Sequence, residues 1–298
     1  MTDTLTFRKM HGLGNDFVII DGRDIDASAA GLTADTIRRI SNRREGLGCD
    51  QLIVIEQRRN DGAYAFMRIL NNDGSEAEAC GNATRCVADV LMDEAGTDAV
   101  VIETVAGLLS AERTENGDVA VDMGVPKLDW QAIPLSEETD TNKLPLAVGP
   151  LHHGVAVNMG NPHAVHFVPD VDAVPLERLG PVLEHDPLFP ARANIEAAQI
   201  IDRDTIRMRV WERAVGITQA CGSAACATIV AAVRRELTER KVEMILDGGS
   251  LTLEWREQDE HVIMTGPVAY VAEGVLDPTL LGKPRAKVKP KPQLAVSA

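Results

Sequence analysis

The sequence predicts a mixed α/β chain of the α+β type, built as two pseudo-symmetric halves that each enclose a central helix in sheet. Three observations lead there. Ala79-Cys80-Gly81-Asn82-Ala83 and Ala220-Cys221-Gly222-Ser223-Ala224 are near copies, 141 positions apart. Each copy follows a strand and a turn and opens a helix-like run, Cys80 to Glu94 and Cys221 to Leu237. The second run is small or apolar on every side as far as Ala232, which marks a helix buried all round and fits poorly with an open parallel sheet.

Taken in order, Thr4 to Lys9 and Phe17 to Asp21 are expected as strands around a Met10–Asp16 turn, where Gly12 and Gly14 supply the bend. Thr33 caps a helix over Ala34 to Asn42, and the Gly46–Gln51 loop leads into a strand from Leu52 to Glu56, with Cys49 as a packing residue. A strand over Ala63 to Leu70 ends in the turn Asn71-Asn72-Asp73-Gly74, which delivers the chain to Cys80. In the following helix Ala83, Cys86, Val87, Val90 and Leu91 recur at helical spacing, so Cys86 packs inward while Asp89, Asp93 and Glu94 take the surface. Strands at Val100–Thr104, Leu108–Arg113 and Val119–Met123 complete a first half, and Pro126–Gly149 reads as a connecting stretch.

The second half opens with a strand from Gly154 to Met159 and the turn Gly160-Asn161-Pro162-His163, which sets Asn161 and His163 at a strand end, a usual place for ligand contacts. A helix over Leu176–Glu184 and strands over Ile195–Ile201 and Thr205–Trp211 follow, and Glu212-Arg213 stand just before the second Cys. The architecture of the first half recurs. A hairpin over Val242–Leu246 and Ser250–Arg256 turns at Asp247-Gly248-Gly249, and His261–Val271 supplies closing strands. From Gly282 onward a Lys/Pro tail is expected to be disordered.

Composition narrows the function. A chain of 298 residues suits two domains, and 45% apolar with 25% charged residues is a globular balance without a membrane-spanning run. The start of the chain lacks a basic, then apolar, secretory signal, so a cytoplasmic location is expected, where thiols stay reduced. Five Cys is an odd number, and neither Cys80/Cys86 nor Cys221/Cys226 has the spacing of a zinc pair or a redox motif, so neither a disulfide framework nor a metal is expected. The net charge is −15, and with five basic residues in the last sixteen positions the body of the chain carries −20, which repels nucleic acid.

A Cys where a helix starts faces the unpaired N–H groups of the first turn and the positive end of the dipole, both of which favour thiolate. Gly and a small polar residue directly after it let a carboxylate approach the same N–H groups. An isolated Cys is more often a core residue; two matching copies argue for chemistry. Two such thiols, one from each half, can meet across the cleft and face one carbon from opposite sides. That is the geometry of a stereochemical inversion, in which a thiolate removes an α-proton and a thiol returns one to the other face. The helix starts would hold the substrate carboxylate and stabilise the developing negative charge without a cofactor.

Phe7 to Phe17, Asp50-Gln51, Asn71 through Arg85, Met159-Gly160-Asn161-Pro162-His163, and Glu212-Arg213 through Ala227 together resemble the signature segments of the diaminopimelate epimerase family. Either Ala-Cys-Gly stretch alone would be a weak signal; the full set spans position 7 to about 280. The resemblance implies a cofactor-independent homodimer that interconverts LL- and meso-2,6-diaminoheptanedioate in lysine and cell-wall precursor biosynthesis. It makes Cys80 and Cys221 the acid/base pair, with Cys221 the proton acceptor and Cys80 the donor for the LL substrate. It assigns Gly81, Asn82, Gly222 and Ser223 to the carboxylate at the reacting end, and Asn15, Gln51, Asn71, Asn161, Asn194, Glu212 and Arg213 to the amino and carboxylate groups. His163 and Glu212 would adjust thiol protonation. In fold it implies mostly antiparallel, curled sheets, with residues 1–125 and 266–282 forming the half that carries Cys80, 126–265 the half that carries Cys221, and 283–298 a disordered basic tail.

The sequence has Ala83, Ala214 and Ala224 where the family pattern has Gly, and Ile217 where it has Glu; the flanks of Asn194 match only loosely. The nearest rival is a proline or hydroxyproline racemase, whose first catalytic Cys is typically followed two positions later by His, where this chain has Asn82. A non-catalytic thiol or metal-binding protein is a rival of a different class, which bound zinc would reveal.

Overall fold

The structure is a computed structural model and describes residues 5–24 and 31–284. Four α-helices are present among the described residues: α1 (Ala34–Ser41), α2 (Gly81–Ala95), α3 (Leu176–Glu184) and α4 (Gly222–Arg234). None of the described helices is long and apolar enough to cross a membrane. The rest is dominated by one continuous sheet of seventeen strands, with a separate two-stranded ribbon, Ala147–Val148 against Leu151–His152.

The internal repeat extends to the strand pairings. In the first half Thr6–Gly12 pairs antiparallel with Asn15–Asp21, which runs parallel to Gln51–Glu56, which is antiparallel to Ala65–Asn71. Ala65–Asn71 is parallel to Ala99–Thr104, and Gly107–Arg113 and Val119–Asp122 follow antiparallel. In the second half Val155–Asn158, Pro162–Phe167, Asn194–Asp202, Thr205–Glu212, Lys241–Leu246, Gly249–Trp255 and Val262–Gly266 repeat the same alternation of antiparallel and parallel neighbours. The parallel pairs span the crossover segments that contain the four helices. The halves join where Val119–Asp122 pairs with Val262–Gly266, and the chain then returns to the first half as Ala269–Val275, an edge strand on Thr6–Gly12.

Each central helix is walled in by its own half. From Gly81 to Met92 every residue of α2 is buried, with strands Thr6–Gly12, Ala99–Thr104, Gly107–Arg113 and Val119–Asp122 around it. The small residues of α4, buried from Ala224 to Ala232, allow the sheet to close round it in the same way. Cys86 and Cys226 have no exposed surface and lie in these two cores, as their spacing predicts.

The structure moves several sequence-predicted boundaries. Met10 to Gly12 and Asn15–Asp16 belong to strands, and the turn between them is only Leu13-Gly14, both with positive φ, at 54 and 82°. Leu13 accepts that conformation because its side chain packs into the core of the second half. A Cβ on Gly248 would stand 2.0 Å from the Leu13 carbonyl oxygen, so glycine is required where this hairpin tip docks. His163 lies inside a strand that begins at Pro162, where proline's missing N–H is tolerated. Asp89 is buried: Arg113 Nη2 donates to it at 2.7 Å and Tyr270 Oη at 3.0 Å. The closing segment divides at Pro267 into two strands, and the second ends at Val275. Gly282 caps a 3-10 turn over Pro278–Leu281 at φ 71°, and the basic tail from position 285 lies outside the described residues.

Candidate active site

Cys80 and Cys221 occupy the N-cap positions of α2 and α4, with extended backbone conformations that leave the first-turn N–H groups free of capping side chains. The two helix starts meet head to head: a Cβ on Gly222 would lie 3.7 Å from Gly81 Cα. Little room is left at either glycine: a Cβ on Gly81 would stand 2.6 Å from Met264 Cε and one on Gly222 3.0 Å from Met264 Sδ, so a side chain there would have to displace Met264. Two positive dipole ends facing one another repel, and an anion between them removes the repulsion. The junction of the two helix starts therefore favours an anion.

Strand registers relate the surrounding polar residues in pairs. Gln51 faces Phe17 on one side and Asn71 on the other; Asn194 likewise faces His163, and its neighbour Ile195 pairs with Trp211, which sets Asn194 level with Glu212. Asn15/Asn161, Gln51/Asn194 and Asn71/Glu212 are thus equivalent positions of the two halves, and Asn71 and Glu212 each precede their Cys by nine residues.

Around Cys80, Asn15 Oδ1 lies 3.8 Å from Sγ and accepts from Asn82 Nδ2 at 3.1 Å. Asn82 Nδ2 also reaches across to the Ala220 carbonyl oxygen at 3.2 Å, tying the two cysteine segments together. Gln51 Nε2 donates to Asn71 Oδ1 at 3.0 Å. Around Cys221, Ser223 Oγ lies 3.5 Å from Sγ, and Glu212, which accepts from Thr218 Oγ1, is within hydrogen-bonding reach of the thiol. His163 Nε2 is 2.8 Å from Asn161 Oδ1, and its Nδ1 is 2.7 Å from Glu196 Oε1. Asn194 makes only backbone hydrogen bonds here: Nδ2 donates to the Pro162 carbonyl at 3.1 Å and Oδ1 accepts Arg213 N–H at 2.9 Å, fixing the backbone that carries Arg213. Arg213 is half-buried and donates through Nη1 to the Ala191 carbonyl at 3.0 Å.

Burial governs the protonation of these groups. Cys80 is raised to about 11, by burial first and then by the Glu212 carboxylate, against a hydrogen bond from the backbone N–H of Ala83. Burial also holds Cys221 well above the ordinary thiol range, with Glu212 adding to the shift, and raises Glu212 itself. A raised carboxylate touching a raised thiol is a pair between which a proton can move.

The sequence reading did not single out Asp50, Glu196, Thr218 or Arg85 for roles. Asp50 Oδ2 accepts from Asn15 Nδ2 at 2.9 Å and so turns Asn15 Oδ1 toward Cys80. Glu196 had a visible signal, a lone charge in an otherwise apolar run, whereas Arg85, with Asp89 four residues on, reads as part of a charged helix face. At the departures from the family pattern Ala83 and Ala224 are fully buried, and Ala214 sits at φ 62° with its N–H on Glu184 Oε1 at 3.0 Å.

The family model described as diaminopimelate epimerase matches residues 7–128 and 155–271. The chain belongs to the diaminopimelate epimerase family. It is 54% identical over 275 residues to the diaminopimelate epimerase of Rhodospirillum centenum, covering 92% of this chain and 93% of the relative. The diaminopimelate epimerase of Acidiphilium cryptum is 55% identical over 275 residues, covering 92% and 97%. Among solved structures, a hydroxyproline epimerase from Agrobacterium vitis superposes with a TM-score of 0.64 at 16% identity, covering 92% of this chain and 91% of that one, which shows a shared fold. The chain is thus an isomerase of the diaminopimelate epimerase family, as its signature segments predicted.

Proposed function

We propose that this enzyme interconverts LL- and meso-2,6-diaminoheptanedioate by a two-base mechanism that needs no cofactor, as a cytoplasmic step supplying lysine and cell-wall precursors. The observation that carries the mechanism is the head-to-head meeting of two helix starts, each capped by a cysteine. A substrate carboxylate seated on the N–H groups around Gly81, Asn82, Gly222 and Ser223 places its α-carbon between the sulfurs. For the LL substrate Glu212 accepts the Cys221 proton, the resulting thiolate takes the α-proton, and Cys80 delivers its own proton to the opposite face. Once Glu212 is protonated its charge no longer opposes the thiolate. The convergent N–H groups stabilise the enolate-like charge that appears between the two transfers. In the reverse direction the sulfurs exchange roles.

Asn15, Gln51, Asn71 and Asn161 offer neutral amides to a doubly zwitterionic ligand, Arg213 offers a fork for the distal carboxylate, and Asn194 fixes the Arg213 backbone. His163 acts with Glu196 on the protonation of Glu212 and Cys221. The two halves in this reading are residues 1–125 with 266–282, and 126–265. A homodimer is supported by the edge strand Ala269–Val275, whose Tyr270, Val271 and Val275 are more than half exposed; light scattering on wild type and Val271→Asp would test it.

The deciding experiment supplies LL-diaminoheptanedioate in D₂O. The expected result is the meso isomer carrying solvent deuterium at the inverted α-carbon. Failure to epimerise this substrate, with turnover of trans-4-hydroxy-L-proline instead, would overturn the assignment.

A further inference from the structure

Arg85 is the bulkiest of the fully buried side chains, one turn into α2. Its guanidinium enters a chamber that two glycines leave open: a Cβ on Gly12 would stand 2.8 Å from Nη2, and one on Gly266 3.6 Å from Nε. Nη1 donates to Met264 Sδ at 3.4 Å, while Nε and Nη2 have no hydrogen-bond partner among the described residues. No carboxylate among those residues forms an ion pair with it. Burying an unpaired guanidinium is unfavourable, and an apolar side chain of similar volume would serve stability better. The charge therefore needs a reason beyond packing.

The groups that face it supply one. They are the thiols of Cys86 and Cys80 on its own helix, Cys226 on α4, and, more weakly, Asp118 in the turn before Val119–Asp122. Burial pushes Cys86 and Cys226 up to about 12, so those two stay neutral. Met264, which holds Nη1, is also the side chain wedged against Gly81 and Gly222 where the helix starts meet. We propose that Arg85 is a positioning residue, a fixed positive charge set beneath the junction of the two helix starts to stabilise the thiolate form of Cys80. This rests on the two-thiol reading of the site. The charge opposes the desolvation and the Glu212 repulsion that raise Cys80, and so favours the state that Cys80 reaches once it has delivered its proton.

The test uses full-length Arg85→Met and Arg85→Gln, each neutral, with iodoacetamide alkylation of Cys80 followed by peptide mass spectrometry between pH 7 and 10. In both variants the rising alkylation profile should move up by about half a pH unit, about a threefold lower rate at any pH on the limb. The Tm of Arg85→Met should not fall, and the rising limb of kcat/KM in the meso-to-LL direction, where Cys80 is the proposed base, should shift in the same direction. Unshifted alkylation in both variants, or a shift in Met but not in Gln, would overturn the proposal, the latter by pointing to hydrogen bonding rather than charge. Should Arg85→Met fail to fold, Arg85→Gln carries the same comparison. Alkylation needs no turnover, so loss of the proposed epimerase reaction would leave this result standing.

Discussion

His166 offers a pH dependence of stability that can be worked through from its surroundings. Its ring is fully buried against Gly154, and neither ring nitrogen has a hydrogen-bond partner of good geometry among the described residues. Burial lowers its pKa to about 4, a shift the His152 backbone only partly opposes. In the unfolded chain the ring titrates near 6.5. Between those values the unfolded state binds more protons, so stability is full above about pH 6.5 and falls as pH decreases toward 4. Replacing His166 with Phe keeps a flat ring on Gly154 and removes the titration. Relative to wild type, His166→Phe should therefore be about 1.3 kcal/mol more stable at pH 5.5 than it is at pH 7.5, as two-site linkage between 6.5 and 4 gives. Working at pH 5.5 stays above the sequence pI of about 4.9, where solubility is poorest. Urea unfolding followed by tryptophan fluorescence measures the double difference, in which the opposing titration of Glu196 and other groups cancels. A difference near zero, or one of opposite sign, would show that the folded ring is not held neutral.

Cys80→Ala and Cys221→Ala should each lower epimerisation by about 10²- to 10⁴-fold, since each removes the acid/base group on one face; a variant that kept a substantial fraction of wild-type turnover would rule out the two-base assignment. Arg213→Lys should raise KM about 10- to 100-fold, because an ammonium cannot form the bidentate clamp on the distal carboxylate, and an unchanged KM would remove Arg213 from the site. Mild oxidation should inactivate the enzyme reversibly by joining Cys80 to Cys221, with protection by substrate and recovery in dithiothreitol. Peptide mapping that found Cys86 or Cys226 in the bridge would contradict their burial in the two helical cores.

The repeat was legible in sequence because it rests on local chemistry: strand, turn, Cys, then a buried helix, twice. Helix α3 was read to the residue and the Thr33 cap is present, its Oγ1 accepting Thr36 N–H at 3.3 Å. Less legible were features that depend on distant partners. Leu13 reads as a loop residue until the Gly248-Gly249 turn of the other half gives it a core to enter. Asp89 sits at a surface-like helix position and is buried only because Arg113 and Tyr270 come from strands far along the chain. Glu76–Ala77 and Gly216–Ile217 are too short to show a period, yet they are what aims each cysteine segment at its helix start. At the site, residue types were visible; hydrogen-bond roles were not, and Asn194 is the clearest case, its amide committed to the backbone of Pro162 and Arg213.

A two-base inversion on a pseudo-symmetric scaffold needs its symmetry broken. If the halves were identical, Cys80 and Cys221 would share one environment and hold protons equally, whereas turnover must begin with one sulfur able to accept and the other able to donate. Three of the equivalent positions bear on Cys221: Phe17 corresponds to His163, Asn71 to Glu212, and Asn72 to Arg213. All three differences put an ionisable side chain in the half of Cys221 and leave an apolar or neutral one in the half of Cys80. Cys221 therefore has a carboxylate within reach, itself raised above the ordinary carboxylate range by burial. Cys80 has the Asn15 amide oxygen at 3.8 Å, an acceptor for a thiol hydrogen but not a base. The proposed role of Cys221 as a base rests on the Glu212 carboxylate within its reach, and Glu212→Gln should slow epimerisation by removing the group proposed to deprotonate it.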